Sequence, residues 1–227
     1  MRCVRWGVAS LACAQLACTH SATFTTARAL PRGRIQQVAA LELGATHLLR
    51  EKPVQAGDFA GGREELLPHA TPSYSLRGGV TDRVELGGKL AVGTVEVNAK
   101  LQLLDTRLLA IAIAPRFAAV GLIPFGPPYL ARAPLLVTFQ ATHWFSWTVR
   151  GGPAAIFGPA QHLIGGEVPL HDFLGELGSA WMVHVAPKTW LALEASILGT
   201  PGSSRVIAPS FGIGVLFGPS STQEQRR

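Results

Sequence analysis

Beyond residue 18 the 227-residue chain has no cysteine, since Cys3, Cys13 and Cys18 are all it contains. That excludes a disulfide framework and a thiolate metal site from everything downstream and confines cysteine chemistry to processing of the amino terminus. Charge is also scarce. Asp, Glu, Lys and Arg make up 15% of the residues, against about 25% in ordinary soluble domains, so part of the surface faces something other than water. Long apolar runs are missing too: the best one after residue 18, 108–122, is interrupted by Pro115 and Arg116. No segment there supplies the roughly twenty apolar residues of a transmembrane helix. Any spanning structure must therefore be made of strands. The net charge is +6, but the basic residues are scattered and no nucleic-acid-binding motif accompanies them, which argues against nucleic acid and leaves two readings: a surface facing lipopolysaccharide phosphates or anionic headgroups, or a basic protein with no anionic partner.

The amino terminus is an export signal. Arg2 and Arg5 precede an apolar run over 8–17, the charged and hydrophobic regions of a secretory leader, and the run is too short to span a bilayer. Residues 1–17 are thus expected to form a signal helix. Gln15-Leu16-Ala17-Cys18-Thr19 resembles a lipobox, with Gln15 departing from the aliphatic residue of that pattern. The resemblance implies diacylation of Cys18. Ser10-Leu11-Ala12-Cys13 competes with it, and Ala12-Cys13-Ala14 suits ordinary signal peptidase, so both alternatives stay open. Residues 18–33 show no periodicity and are expected to be a polar spacer.

Period-two alternation dominates the rest. In 83–92, Val84, Leu86, Leu90 and Val92 share one face, while Arg83, Glu85 and Lys89 share the other. In 94–103, Val95, Val97, Ala99, Leu101 and Leu103 alternate with Thr94, Glu96, Asn98, Lys100 and Gln102. A two-residue Gly93-Thr94 turn predicts that Val92 pairs with Val95, Leu86 with Leu101, Lys89 with Asn98 and Glu85 with Gln102. Upstream, Tyr74, Leu76, Gly78 and Val80 alternate with Ser73, Ser75, Arg77 and Gly79. Weaker alternation predicts strands near 34–46, 108–121, 130–142, 144–157, 176–187, 189–199 and 206–218. The total is about ten, an even number joined by alternately short and long connections, as in an up-and-down barrel with two unlike faces. The long connections include 47–66, 122–129, 158–175 and 200–205. Phe145, Trp147 and Trp190 after short turns, with Phe125 and Tyr129 in a long loop, are placed as interfacial aromatics.

Arg77-Gly-Gly-Val-Thr-Asp-Arg-Val-Glu-Leu-Gly-Gly-Lys-Leu90 resembles a segment that recurs in bacterial outer-membrane β-barrel proteins: a glycine-rich strand, a Thr-Asp-Arg turn and an alternating strand. Ser210-Phe211-Gly212-Ile213-Gly214-Val215-Leu216-Phe217 resembles the carboxy-terminal targeting signal of the same proteins, carried by Ser210, Gly212, Val215 and Phe217. It departs from that signal in the polar tail that follows. The resemblance implies an all-β, antiparallel up-and-down transmembrane β-barrel over 34–218, a tail over 219–227, an outer-membrane location, and the barrel-assembly machinery, membrane lipid and lipopolysaccharide as partners.

The polar strand faces carry Glu42, Arg77, Glu85, Lys89, Glu96, Lys100, Arg116, Arg132, Arg150 and Glu194. In a narrow lumen, interleaved charges of both signs are expected to pair and plug it. A small selective pore is the alternative. No catalytic, cofactor or metal site is expected. The chain has no Gly-x-Ser-x-Gly elbow, and its histidines are dispersed. Only His171-Asp172 sets a base beside an acid, and Asp-His pairs do occur in outer-membrane proteases of ten strands. The function expected is non-enzymatic: structural, small-ligand binding or minor transport. Two alternatives remain, a barrel enzyme acting on lipid or peptide through the 158–175 loop, and a lipid-tethered soluble periplasmic barrel or sandwich. They differ in which strand face points outward.

Overall fold

Successive side chains of a strand point to opposite sides of the sheet, so each alternating segment has an aliphatic face and a charged or small face, and closure into a ring must hide one of them. A computed structural model describes residues 22–48, 65–120, 129–157, 161–163, 166–168, 171–199 and 206–218. Its strands are β1 (Ile35–Leu48), β2 (Glu65–Gly79), β3 (Val84–Ala91), β4 (Thr94–Asp105), β5 (Leu109–Ile113), β6 (Arg116–Val120), β7 (Tyr129–Arg132), β8 (Leu135–Gln140), β9 (Phe145–Phe157), β10 (Gln161–Leu163), β11 (Gly166–Val168), β12 (His171–Ala186), β13 (Thr189–Gly199) and β14 (Val206–Phe217). β5 with β6, and β7 with β8, each form one interrupted stave, and β10–β11 is a separate hairpin. Ten antiparallel staves result, each paired with its neighbours, and β14 pairs with β1 to close the barrel without an edge. Among the described residues no helix is long and apolar enough to cross a membrane.

The hidden face is the charged one. Leu86 and Leu101 are 51% and 47% exposed, whereas Glu85 and Lys100 beside them are 2% and 5% exposed. The same division runs around the ring, with Leu41, Val97, Phe139 and Ile213 outside and Glu42, Glu96, Thr138 and Gly212 inside. A soluble barrel turns its apolar residues inward. This one presents an apolar belt to lipid.

Several details depart from expectation. The β3–β4 turn is Val92-Gly93, not Gly93-Thr94. Ala91 pairs with Thr94, Leu86 with Ala99, and Val84 with Leu101, a shift of two residues. Gly93 holds φ +73 at the second central position, where a side chain is disfavoured. The shifted register sets Lys89 opposite Glu96 and Glu85 opposite Lys100, so opposite charges replace the charge–amide pairs expected there. A shift of two leaves every residue on its original face, which is why alternation does not distinguish the two registers.

The segments 108–121 and 130–142 are each broken once, at Ala114-Pro115 and Ala133-Pro134. Proline cannot donate to the ladder, but its carbonyl still accepts. Ala99 N–H bonds to Pro115 O at 2.9 Å, Ala114 N–H to Pro134 O at 3.0 Å, and Ala133 N–H to Pro153 O at 3.0 Å. A line of prolines across adjacent staves thereby interrupts the strands without opening the wall. β2 begins at Glu65, earlier than its alternation suggests, with Pro68 and Pro72 obscuring the pattern. β12 begins at His171, so His171 and Asp172 lie in a strand, paired with Phe157 and Ile156, and not in a loop. Trp190 is no interfacial aromatic: it is buried inside, its ring centroid 4.7 Å from that of His184. Phe125, Cys18 and the tail 219–227 lie outside the described residues.

Candidate functional site in the barrel lumen

All ten charged residues expected to line the lumen are buried, whereas Arg83, on the same face of its segment, is exposed in the turn before β3; the register brings most of the ten together. Lys89 Nζ lies 2.5 Å from Glu42. Glu85 takes Lys100 at 2.7 Å and Arg77 at 3.8 Å. Arg132 bonds Glu96, and Arg150 bonds Glu194. Glu176, absent from the expected set, accepts from Arg150 Nε at 2.6 Å and lies 4.0 Å from Arg132. Its position was legible, because it shares the parity of Gly178, Ala180 and Met182, which also face inward. Arg28 and Asp105, 3.2 Å apart near the short-turn end, form a further pair that alternation does not reveal.

Residues 22–30, part of the expected spacer, run through the lumen as irregular chain, with Phe24 at φ +45 and a bend at 27–28, and are held there by the wall. The amides of Thr23 and Phe24 donate to the Glu194 carboxylate, at 2.9 Å and 2.6 Å. The Ala27 amide donates to Thr138 Oγ1 at 2.7 Å, Ala29 to Gln102 Oε1 at 2.7 Å, and Leu30 to Glu85 Oε2 at 3.1 Å. In the other direction Lys89 Nζ donates to Ala22 O at 2.8 Å, Arg77 to Phe24 O at 2.8 Å, and Lys100 Nζ to Thr26 O at 3.1 Å. Arg28 reaches down to the carbonyls of Thr106 and Arg107, at 2.7 Å and 3.1 Å. A buried peptide group without a partner costs about 1–3 kcal/mol, so the wall's charges and amides are what permit an irregular chain inside a barrel.

Small wall residues make room for it. A Cβ on Gly212 would stand 2.6 Å from Phe24 Cζ, and one on Gly79 2.2 Å from Pro31 O. Phe24, Ala22, Val38, Met182, Trp190, Ala192 and Leu216 form an apolar cluster around the Phe24 ring. A second inward cluster, Ala118, Leu130, Ala154, Leu174, Leu198 and Ala208, lies toward the long-loop end. Between them is the ring of ion pairs. Two spaces bordered by the lumen residues hold about 30 and 20 Å³, enough for one or two waters each.

The targeting-motif residues lie in the closing strand β14. Ser210 faces inward with its hydroxyl 2.7 Å from Ser196 Oγ, Gly212 lies against Phe24, and Phe217 faces outward at the strand's end, with Val215 half-buried on the same side.

No family model and no characterised protein matches this sequence. Solved structures do match. An outer-membrane channel from Pseudomonas putida F1 aligns with TM-score 0.59 at 9% identity, over 88% of this chain and all of its own (100%). The translocator domain of the autotransporter NalP from Neisseria meningitidis aligns with TM-score 0.50 at 11% identity, over 81% of this chain and 88% of its own. The outer membrane protease OmpT from Escherichia coli aligns at TM-score 0.43 and 9% identity, over 82% and 97% of the two chains. The fold is that of bacterial outer-membrane β-barrel proteins.

Proposed function

We propose that this chain is a sealed, non-enzymatic barrel of the outer membrane, in which the amino-terminal segment is a permanent plug and the accessible surface, not the lumen, does the work. The observation that supports this most is the mutual satisfaction of wall and plug: Arg116 aside, the described carboxylates and cations that would line a pore are paired with one another and with the backbone of 22–30. Membrane lipid and lipopolysaccharide are the partners suited to its apolar belt and net positive charge, and the β14 motif is the handle for the barrel-assembly machinery. Diacylation of Cys18 after export is part of the same proposal. Fatty-acid labelling of cells expressing the wild type tests it, and absence of label rejects it.

Proteoliposomes carrying the full chain test the sealed lumen. They should swell no faster in small sugars than protein-free vesicles, and faster swelling would return the barrel to the transporters. For the non-enzymatic part, a lipid or peptide hydrolysis by the purified chain that vanishes in His171→Ala/Asp172→Ala would make β12 catalytic and overturn the reading.

A further inference from the structure

Among the described side chains, the lumen's ion pairs leave one cation over. Arg28 is matched with Asp105, Lys89 with Glu42, Arg77 and Lys100 with Glu85, Arg132 with Glu96, and Arg150 with Glu176 and Glu194. With Arg116 the count among the described side chains is seven cations against six carboxylates. Arg116 is 5% exposed, and among the described residues its Nη1 and Nη2 have no hydrogen-bond partner. The carboxylates that act on it from a distance, Glu176 and Glu96, are claimed by Arg150 and Arg132. Arg116 lines the larger lumen cavity together with Arg77, Lys89 and Lys100, while only Glu85 and Glu96 among the lining residues are acidic.

From this surplus and the cavity beside it, we propose that the lumen holds one small monovalent anion of the halide class, bound to the Arg116 guanidinium. An unpaired buried cation is costly, and water alone does not neutralise it. An anion supplies both the missing charge and an acceptor for the orphaned N–H groups. The size of the space sets the class. About 30 Å³ admits a particle of roughly one or two waters' bulk, so a monatomic ion fits, whereas a sugar acid does not. Asn98, cross-strand neighbour of Arg116, lines the same space. The proposal goes beyond the sealed-barrel reading and does not need it, since a conducting lumen would offer the same site.

The test uses the full chain folded in detergent micelles and unfolded by heat in sodium chloride, sodium bromide or sodium gluconate at matched ionic strength. Chloride and bromide should raise Tm saturably over gluconate, because a ligand held only by the folded state stabilises it by mass action. Arg116→Lys should keep that rise and Arg116→Met should lose it. Crystals grown in bromide should show an anomalous peak against the Arg116 guanidinium. A Tm indifferent to halide overturns the proposal, as does an Arg116→Met variant that responds like wild type. If the methionine variant fails to fold, the wild-type bromide peak decides alone: at Arg116 it supports the site, and elsewhere or nowhere it rejects it.

Discussion

Gly212 lies under the Phe24 ring so closely that a β-carbon there would stand 2.6 Å from Phe24 Cζ. One residue of the closing strand thus sets the position of the plug. Gly212→Val should force Phe24 out of its cluster, at a cost of about 1–3 kcal/mol of overpacking. Urea-driven unfolding in lipid should show the loss, and a cysteine placed at the buried neighbour Thr25, with the Phe24 ring kept, should become reactive to a water-soluble maleimide only in the valine variant.

Glu194 binds Arg150 and also the amides of Thr23 and Phe24. Removing one partner of a buried ion pair costs about 3–5 kcal/mol, so Glu194→Leu should destabilise strongly. Arg150→Met should do likewise. Combined, they should cost clearly less than the sum of the two, since the double variant removes both members of this pair and leaves Glu176 to Arg132, 4.0 Å away. A double-mutant cycle in lipid vesicles checks this, and additive losses would mean that the pair does not interact.

Leu41 and Glu42 are neighbours near the middle of β1 with opposite orientations. Arginine at the lipid face near the bilayer midplane costs roughly 2–4 kcal/mol, so Leu41→Arg should fold with that penalty in a bilayer. Wild-type protein should also migrate differently on electrophoresis before and after boiling, as a membrane barrel that stays folded in detergent.

Much of this was visible in the residues, for definable reasons. Period two fixes faces, so the sequence alone sets Glu85 and Lys100 on the face away from Leu86 and Leu101. It does not fix pairing, so the register of β3 against β4 was off by two until the Gly93 backbone and the Lys89–Glu96 pairing decided it. Proline hid strand where a carbonyl alone sustains the ladder, as at Pro115 and Pro134. Trp190 was misplaced because an aromatic after a turn suits a belt and a lumen cluster alike. Residues 22–30 were illegible for a deeper reason: they are held through backbone amides and carbonyls, which every sequence has. They leave a trace on the wall, in the inward glycines Gly79, Gly212 and Gly214.

The pairing in β3–β4 has its own test. Cysteines at Leu90 and Val95, directly opposite in the structure, should form a disulfide readily on oxidation, because opposed residues bring their Cβ atoms within about 4.5–5.5 Å. Cysteines at Leu90 and Val97 should not. The reverse result would restore the Gly93-Thr94 turn.

The plug is the centre of the account, and planar-bilayer recording reaches it most directly. Wild-type protein should give no steady open conductance, whereas a refolded chain lacking residues 22–30 should open a persistent, ion-conducting lumen. A steadily conducting wild type would contradict the account.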